Sequence, residues 1–144
     1  MIVYAETSAV AAWLLGEPNQ AIAHRTLAAA DLVVSSSLTG FECARALARR
    51  RQEGRCDVTQ EYAALRLLDV AERTWHVHAL SDDVLARARG PFPVEPVRAL
   101  DALHLATAAI LRETLGPIAM LSFDQRIRDN APLLGLELLP AQLS

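Results

Sequence analysis

Three short apolar runs constrain this chain more than any other feature: Ile2–Ala5, residues 32–34 and Ile118–Leu121. None alternates polar with apolar residues, so each fits a strand covered on both faces, not one with a wet side. The stretches between them carry apolar residues at helical spacing. Strands that alternate with helices and are apolar throughout build an α/β fold, a parallel sheet with helices on both faces.

The elements follow in order. Thr7-Ser8 offers N-caps to a helix over residues 9–15, which stops at Gly16-Glu17-Pro18. A second amphipathic helix covers 19–30, and Ser35-Ser36-Ser37 ends the strand at 32–34. A long helix spans 38–52 and stops near Gly54. Asp57 or Thr59 caps the next, which places Tyr62, Leu65 and Leu68 on one period. Residues 75–80 alternate like a strand, and Ser81-Asp82-Asp83 opens another helix. Three prolines make 90–96 a loop. Helix returns over 98–115, then a strand at 118–121, a short helix at 124–130 and a last strand at 136–138. No repeat, linker or low-complexity segment interrupts this order, which predicts a single domain over 1–144.

With 52% hydrophobic residues the chain is no disordered segment, and its formal net charge of −3 gives no general attraction to nucleic acid or anionic membrane. That counts against a simple basic DNA-binding domain. A nuclease stays open, because metal-binding carboxylates lower the net charge by themselves. All 14 basic residues are Arg, which reads as coding bias in a GC-rich genome with a small gain in bidentate phosphate contacts. Cys43 and Cys56 have no CxxC spacing, so neither zinc nor a disulfide framework is indicated, and Cys43 reads as a small core residue. The N-terminus runs straight into a strand, and no apolar stretch reaches membrane-spanning length. A reduced, cytoplasmic protein is expected.

Against this apolar background four acids stand out: Glu6, Glu42, Asp101 and Asp124, each at the edge of an apolar run. An ionised carboxylate there is costly unless it is paired or bound to a cation. Glu6 ends the first strand and Asp124 follows the fourth, where sites form in open parallel sheets. Glu42 and Asp101 lie near the starts of helices facing the same edge. Each acid alone could be a cap or an ion-pair partner, Glu42 with Arg45 and Asp101 with Arg98. Together they point to a shared pocket for a hard divalent cation such as Mg2+ or Mn2+.

The contexts of these acids carry a resemblance. They are Ile2 to Ser8, a strand ending in acid-Thr-Ser; Gly40-Phe41-Glu42 leading a helix; Leu100-Asp101-Ala102-Leu103-His104-Leu105-Ala106; and Leu121-Ser122-Phe123-Asp124-Gln125-Arg126. In this order the chain resembles the PIN-domain ribonucleases, specifically the VapC toxins of toxin–antitoxin pairs, over essentially its whole length. The resemblance implies an α/β/α sandwich with a parallel sheet of about five strands. It also implies a Mg2+- or Mn2+-dependent endoribonuclease that inhibits translation and is held in check by a cognate antitoxin. By matching position, Glu6, Glu42, Asp101 and Asp124 are the catalytic quartet. Glu6, Asp101 and Asp124 bind the ion, and Thr7 and Ser122 are supporting hydroxyls.

The family's first acid is usually Asp. Glu6 is longer by a methylene, and misplacement of a reacting group by ~1 Å can cost on the order of a hundredfold in rate. Metal binding should therefore survive better than turnover, and a catalytically weakened module acting through antitoxin and RNA binding is the alternative reading. A phosphohydrolase of small substrates, closed by the 90–96 loop, is a third. In the only basic cluster, Arg45, Arg49, Arg50, Arg51 and Arg55, the first two are candidates for guiding RNA towards Glu42. His104 reads as a packed, hydrogen-bonded residue, and Trp13 and Trp75 as core or interface. The apolar helix at 9–15 fits a homodimer or a groove covered by antitoxin.

Overall fold

The computed structural model describes all residues, 1–144. Five parallel strands, β1 (Ile2–Ala5), β2 (Leu32–Ser36), β3 (His76–His78), β4 (Ile118–Leu121) and β5 (Glu137–Leu139), form one sheet in the order β3-β2-β1-β4-β5. Seven α-helices connect them: α1 (Thr7–Leu15), α2 (Gln20–Ala29), α3 (Ser37–Gln52), α4 (Val58–Glu72), α5 (Asp82–Ala88), α6 (Ala99–Leu115) and α7 (Gln125–Asn130). A single 3-10 turn over Pro132–Leu134 precedes β5. No helix is long and apolar enough to cross a membrane.

Alternation along the central strands divides the core in two. Tyr4, Val34 and Met120 face Leu105, Leu111 and Ile127 on one side of the sheet. Ala5 and Val33 face Val10, Cys43 and Leu68 on the other. This is why β1, β4 and the first three residues of β2 are apolar at every position: both faces are buried. Burial pushes the Cys43 thiol up to about 12, which suits the core residue read from the sequence. Trp13 and Trp75 pack together at 6.2 Å between centroids and lie partly buried against this second cluster.

Several boundaries differ from the sequence reading. The N-cap of α1 is Glu6, whose carboxylate accepts from the Ser8 amide, and the helix already begins at Thr7. Its end is the expected one, at Gly16 with φ +65°. β2 extends through Ser35 and Ser36 because the Ser35 hydroxyl donates to Ala5 O, satisfying itself inside the sheet. β3 keeps only three residues of the alternating stretch. α4 is capped by Asp57 in a reciprocal arrangement with Gln60.

The chain runs outward from β1 through β2 to β3, then crosses back to place β4 on the other side of β1. The switch point therefore lies between β1 and β4, where crevices open beyond the strand ends.

Candidate active site

All four acids reach this crevice. A cavity of about 350 Å³ is lined by Glu6, Thr7, Ser8, Glu42, Arg98, Ala99, Leu100, Asp101 and Asp124. Each acid comes from a different element: the end of β1, the second turn of α3, the first turn of α6 and the cap of α7.

Glu6 is nearly fully buried, at 5% exposure. Its Oε2 accepts from the Ser8 amide at 3.0 Å, from the Ser8 hydroxyl and from the Ser122 hydroxyl at 2.8 Å. Burial pushes its carboxyl above the ordinary value, against the pull of His104 and these donors. The two serines also bind the loop after β4: Ser8 Oγ accepts from the Phe123 amide and Ser122 Oγ from the Asp124 amide. Adjacent strand ends are thus laced together through one carboxylate.

Glu42 stands in a second network. Its Oε1 accepts from Thr7 Oγ1 and from His104 Nε2, each at 2.6 Å. Burial raises the Glu42 carboxyl, but these hydrogen bonds and the His104 and Arg98 charges outweigh it and leave it below the ordinary value. Behind His104, itself 1% exposed, the Tyr4 hydroxyl lies 2.9 Å from Nδ1. Pairing of Glu42 with Arg45 does not occur. Arg45 points into solvent, and the histidine takes its place because α6 packs behind the cavity.

Asp101 and Asp124 share one partner. Arg98 donates to Asp101 from Nε at 2.9 Å and from Nη2 at 3.3 Å, and to Asp124 from Nη2 at 3.0 Å. Asp124 also caps α7, its Oδ1 accepting from the Arg126 and Ile127 amides. No three of the acids converge tightly enough to hold an ion in this arrangement, with the guanidinium lying between two of them. The donor set is nonetheless all oxygen and carries four carboxylates, the chemistry a hard divalent cation takes. A guanidinium bridging two acids marks where positive charge is wanted.

Thr7 and Ser122, the expected supporting hydroxyls, serve different acids: Thr7 serves Glu42 and Ser122 serves Glu6. Ser8, Tyr4, His104 and Arg98 were not assigned to the site by sequence reasoning. The Ser8 signal was present, since a hydroxyl two residues beyond a buried acid at a helix start is placed to donate back to it. In the basic cluster, Arg50, Arg51 and Arg55 pair with Glu17, Glu61 and Glu53, while Arg45 and Arg49 are exposed without an ion pair.

Comparison with known proteins gives the family. The PIN-domain family model matches residues 3–132. The chain belongs to the PIN-domain family. Ribonuclease VapC46 of Mycobacterium tuberculosis is 35% identical over 134 residues, spanning 93% of each chain. Two solved structures share the fold. The M. tuberculosis VapC20 toxin, described as cleaving the sarcin-ricin loop, aligns with a TM-score of 0.61 at 20% identity, over 90% of this chain and 96% of that one. VapBC2 of Rickettsia felis, bound to a promoter DNA fragment, aligns at 0.63 with 13% identity, over 96% and 97%. At those identities the structures speak for the PIN fold alone, while VapC46 places the chain among the VapC ribonucleases.

Proposed function

We propose that this chain is a VapC-type endoribonuclease, the toxin of a toxin–antitoxin pair, working as a single PIN domain with Mg2+ or Mn2+. The observation that carries the reading is that four carboxylates from four separate elements line one cavity at the sheet's switch point. Glu6, Asp101 and Asp124 would hold the ion. When bound it polarises the phosphodiester and lowers the pKa of a water. Glu42 keeps its charge through His104 and Thr7 on Oε1, which leaves Oε2 to orient the attacking water. Ser8 and the buried Ser122 hold Glu6 still, and the exposed Arg45 and Arg49 steer the RNA backbone from the next turns of α3.

The antitoxin reading has separate support. A second cavity, about 420 Å³, lies away from the acids between α1, α3 and α4, with Leu14, Leu15, Leu47 and Leu67 on its walls and Arg50 and Arg55 among them. Phe41, Tyr62 and Val70 are exposed on α3 and α4. Apolar walls with basic side chains suit a partner segment that is apolar and acidic, and the exposed helix faces suit a homodimer.

Calorimetry with Mn2+ tests the metal site: affinity should drop sharply in Asp101→Asn and Asp124→Asn. Equal affinity in wild type and both variants would rule out a shared site. Single-turnover cleavage of total RNA tests the activity. Light scattering that finds a monomer at micromolar concentration without antitoxin would remove the homodimer.

A further inference from the structure

Arg98 is the only basic side chain in the acidic cavity, and the metal reading gives it no task. Its guanidinium binds two carboxylates that the sequence places far apart, Asp101 next to it and Asp124 beyond β4. The partners differ in freedom. The Asp101 and Asp124 side chains are 8% and 25% exposed, and Asp124 is anchored by two backbone amides. The Arg98 side chain is 58% exposed and makes no other hydrogen bond. Asp124 is anchored independently and Asp101 is buried on α6, while the arginine is held by these two acids alone.

The fork onto Asp101 is closed by a guanidinium whose side chain is more than half in solvent, so water and salt compete for it and a divalent cation can take its place. The same two carboxylates are what a divalent cation needs here, and two positive groups cannot share them. An arginine that loses them stays tethered at the mouth of the cavity through its backbone just ahead of α6. There its planar fork of N–H donors fits the two free oxygens of a phosphodiester, which a lysine's point charge would not match.

We propose that Arg98 is a displaceable counter-ion. It holds Asp101 and Asp124 while no ion is bound, and turns onto the phosphate of the RNA when a divalent cation takes both carboxylates. The inference rests on the metal-dependent nuclease reading above. It adds that the ion's arrival releases the group that grips the substrate.

The test uses wild type, Arg98→Met and Arg98→Lys, with thermal melts confirming that each is folded. In calorimetry with Mn2+ alone, Arg98→Met should bind about fivefold or more tightly than wild type, with Arg98→Lys between them. A purely structural arginine would not raise metal affinity when removed. Equal or weaker binding in Arg98→Met overturns the competition. Binding of a fluorescein-labelled single-stranded RNA is then followed by anisotropy, with chelator or with Ca2+ in place of Mn2+. Wild type and Arg98→Met should bind alike with chelator, and wild type more tightly with Ca2+. Equal binding in both conditions overturns the phosphate contact. If Mn2+ binds no form of the protein, the metal reading falls first and this inference with it.

Discussion

His104 Nε2 lies 2.6 Å from Glu42 Oε1, and the Tyr4 hydroxyl holds the far side of the same ring at 2.9 Å from Nδ1. A carboxylate only accepts, so Nε2 carries the hydrogen. The ring therefore links the centre of the sheet to an acid at the cavity, and Glu42 is oriented from behind by core residues.

Removing that link should uncouple fold and site unequally. His104→Ala empties a buried position and strands two polar partners, so it should lose about 2–4 kcal/mol of stability. Tyr4→Phe loses one hydrogen bond and should lose about 1 kcal/mol. His104→Gln offers an amide donor in place of Nε2. It should retain more cleavage than His104→Ala, in which a freed Glu42 lowers the rate on the order of tenfold to a hundredfold. Urea melts read the first effect and single-turnover RNA cleavage the second.

Glu6→Asp should lower cleavage. On sequence alone the shorter side chain restores the usual family residue and predicts a gain. The structure argues the other way, because three donors converge on Oε2 of the longer side chain. An aspartate would pull back from Ser122 and leave its hydroxyl without an acceptor. A rate above wild type would show that the serines do not define the productive position.

The raised carboxyl of Glu6 gives a pH dependence of known sign. A folded-state value above the unfolded one adds stability below the unfolded value, and that stability is lost as pH rises through the folded value. Glu6→Gln should therefore be more stable than wild type at neutral pH, with chelator present. The gap should close on acidification, between the raised value and the ordinary carboxylate range. Glu42 shifts the opposite way but is common to both proteins, so it cancels in the difference. Denaturant titrations at stepped pH would show it; a gap that widens on acidification would contradict it.

Arg128 should matter although it touches no acid. Its buried guanidinium donates to three backbone carbonyls, Ser122 O at 3.0 Å, Pro140 O at 2.8 Å and Ala141 O at 3.3 Å. Arg128→Met fills the volume but leaves carbonyls unpaired, so it should lose about 1–3 kcal/mol. It should also weaken Mn2+ binding, since the loop carrying Ser122 and Asp124 loses its brace. Unchanged metal affinity with lowered stability would confine Arg128 to the fold.

Much of the fold was legible because burial on both faces writes itself as unbroken apolar runs, as in β1 and β4. Polar strand ends were not. Ser35 and Ser36 look like a turn until Ala5 O is known to lie within reach of a hydroxyl. The four acids were legible from their contexts, and so was Asp101 with Arg98 at i,i+3. That Arg98 also reaches Asp124 follows only from strand order, which no local spacing encodes. His104 read correctly as packed, but its partner Glu42 belongs to another helix.

The strand order also bears on how the protein is made. β1 leaves the ribosome first, yet its neighbour β4 emerges only after most of the chain has been synthesised. Until then Glu6 has no Ser122 beside it, Asp124 does not exist, and β1 lacks one of its two flanking strands. A nascent chain that has not reached Asp124 therefore cannot assemble the cavity, and a product that stops short of it carries no complete set of acids. The translation machinery that builds this protein is exposed to its chemistry only after β4 and Asp124 have been delivered.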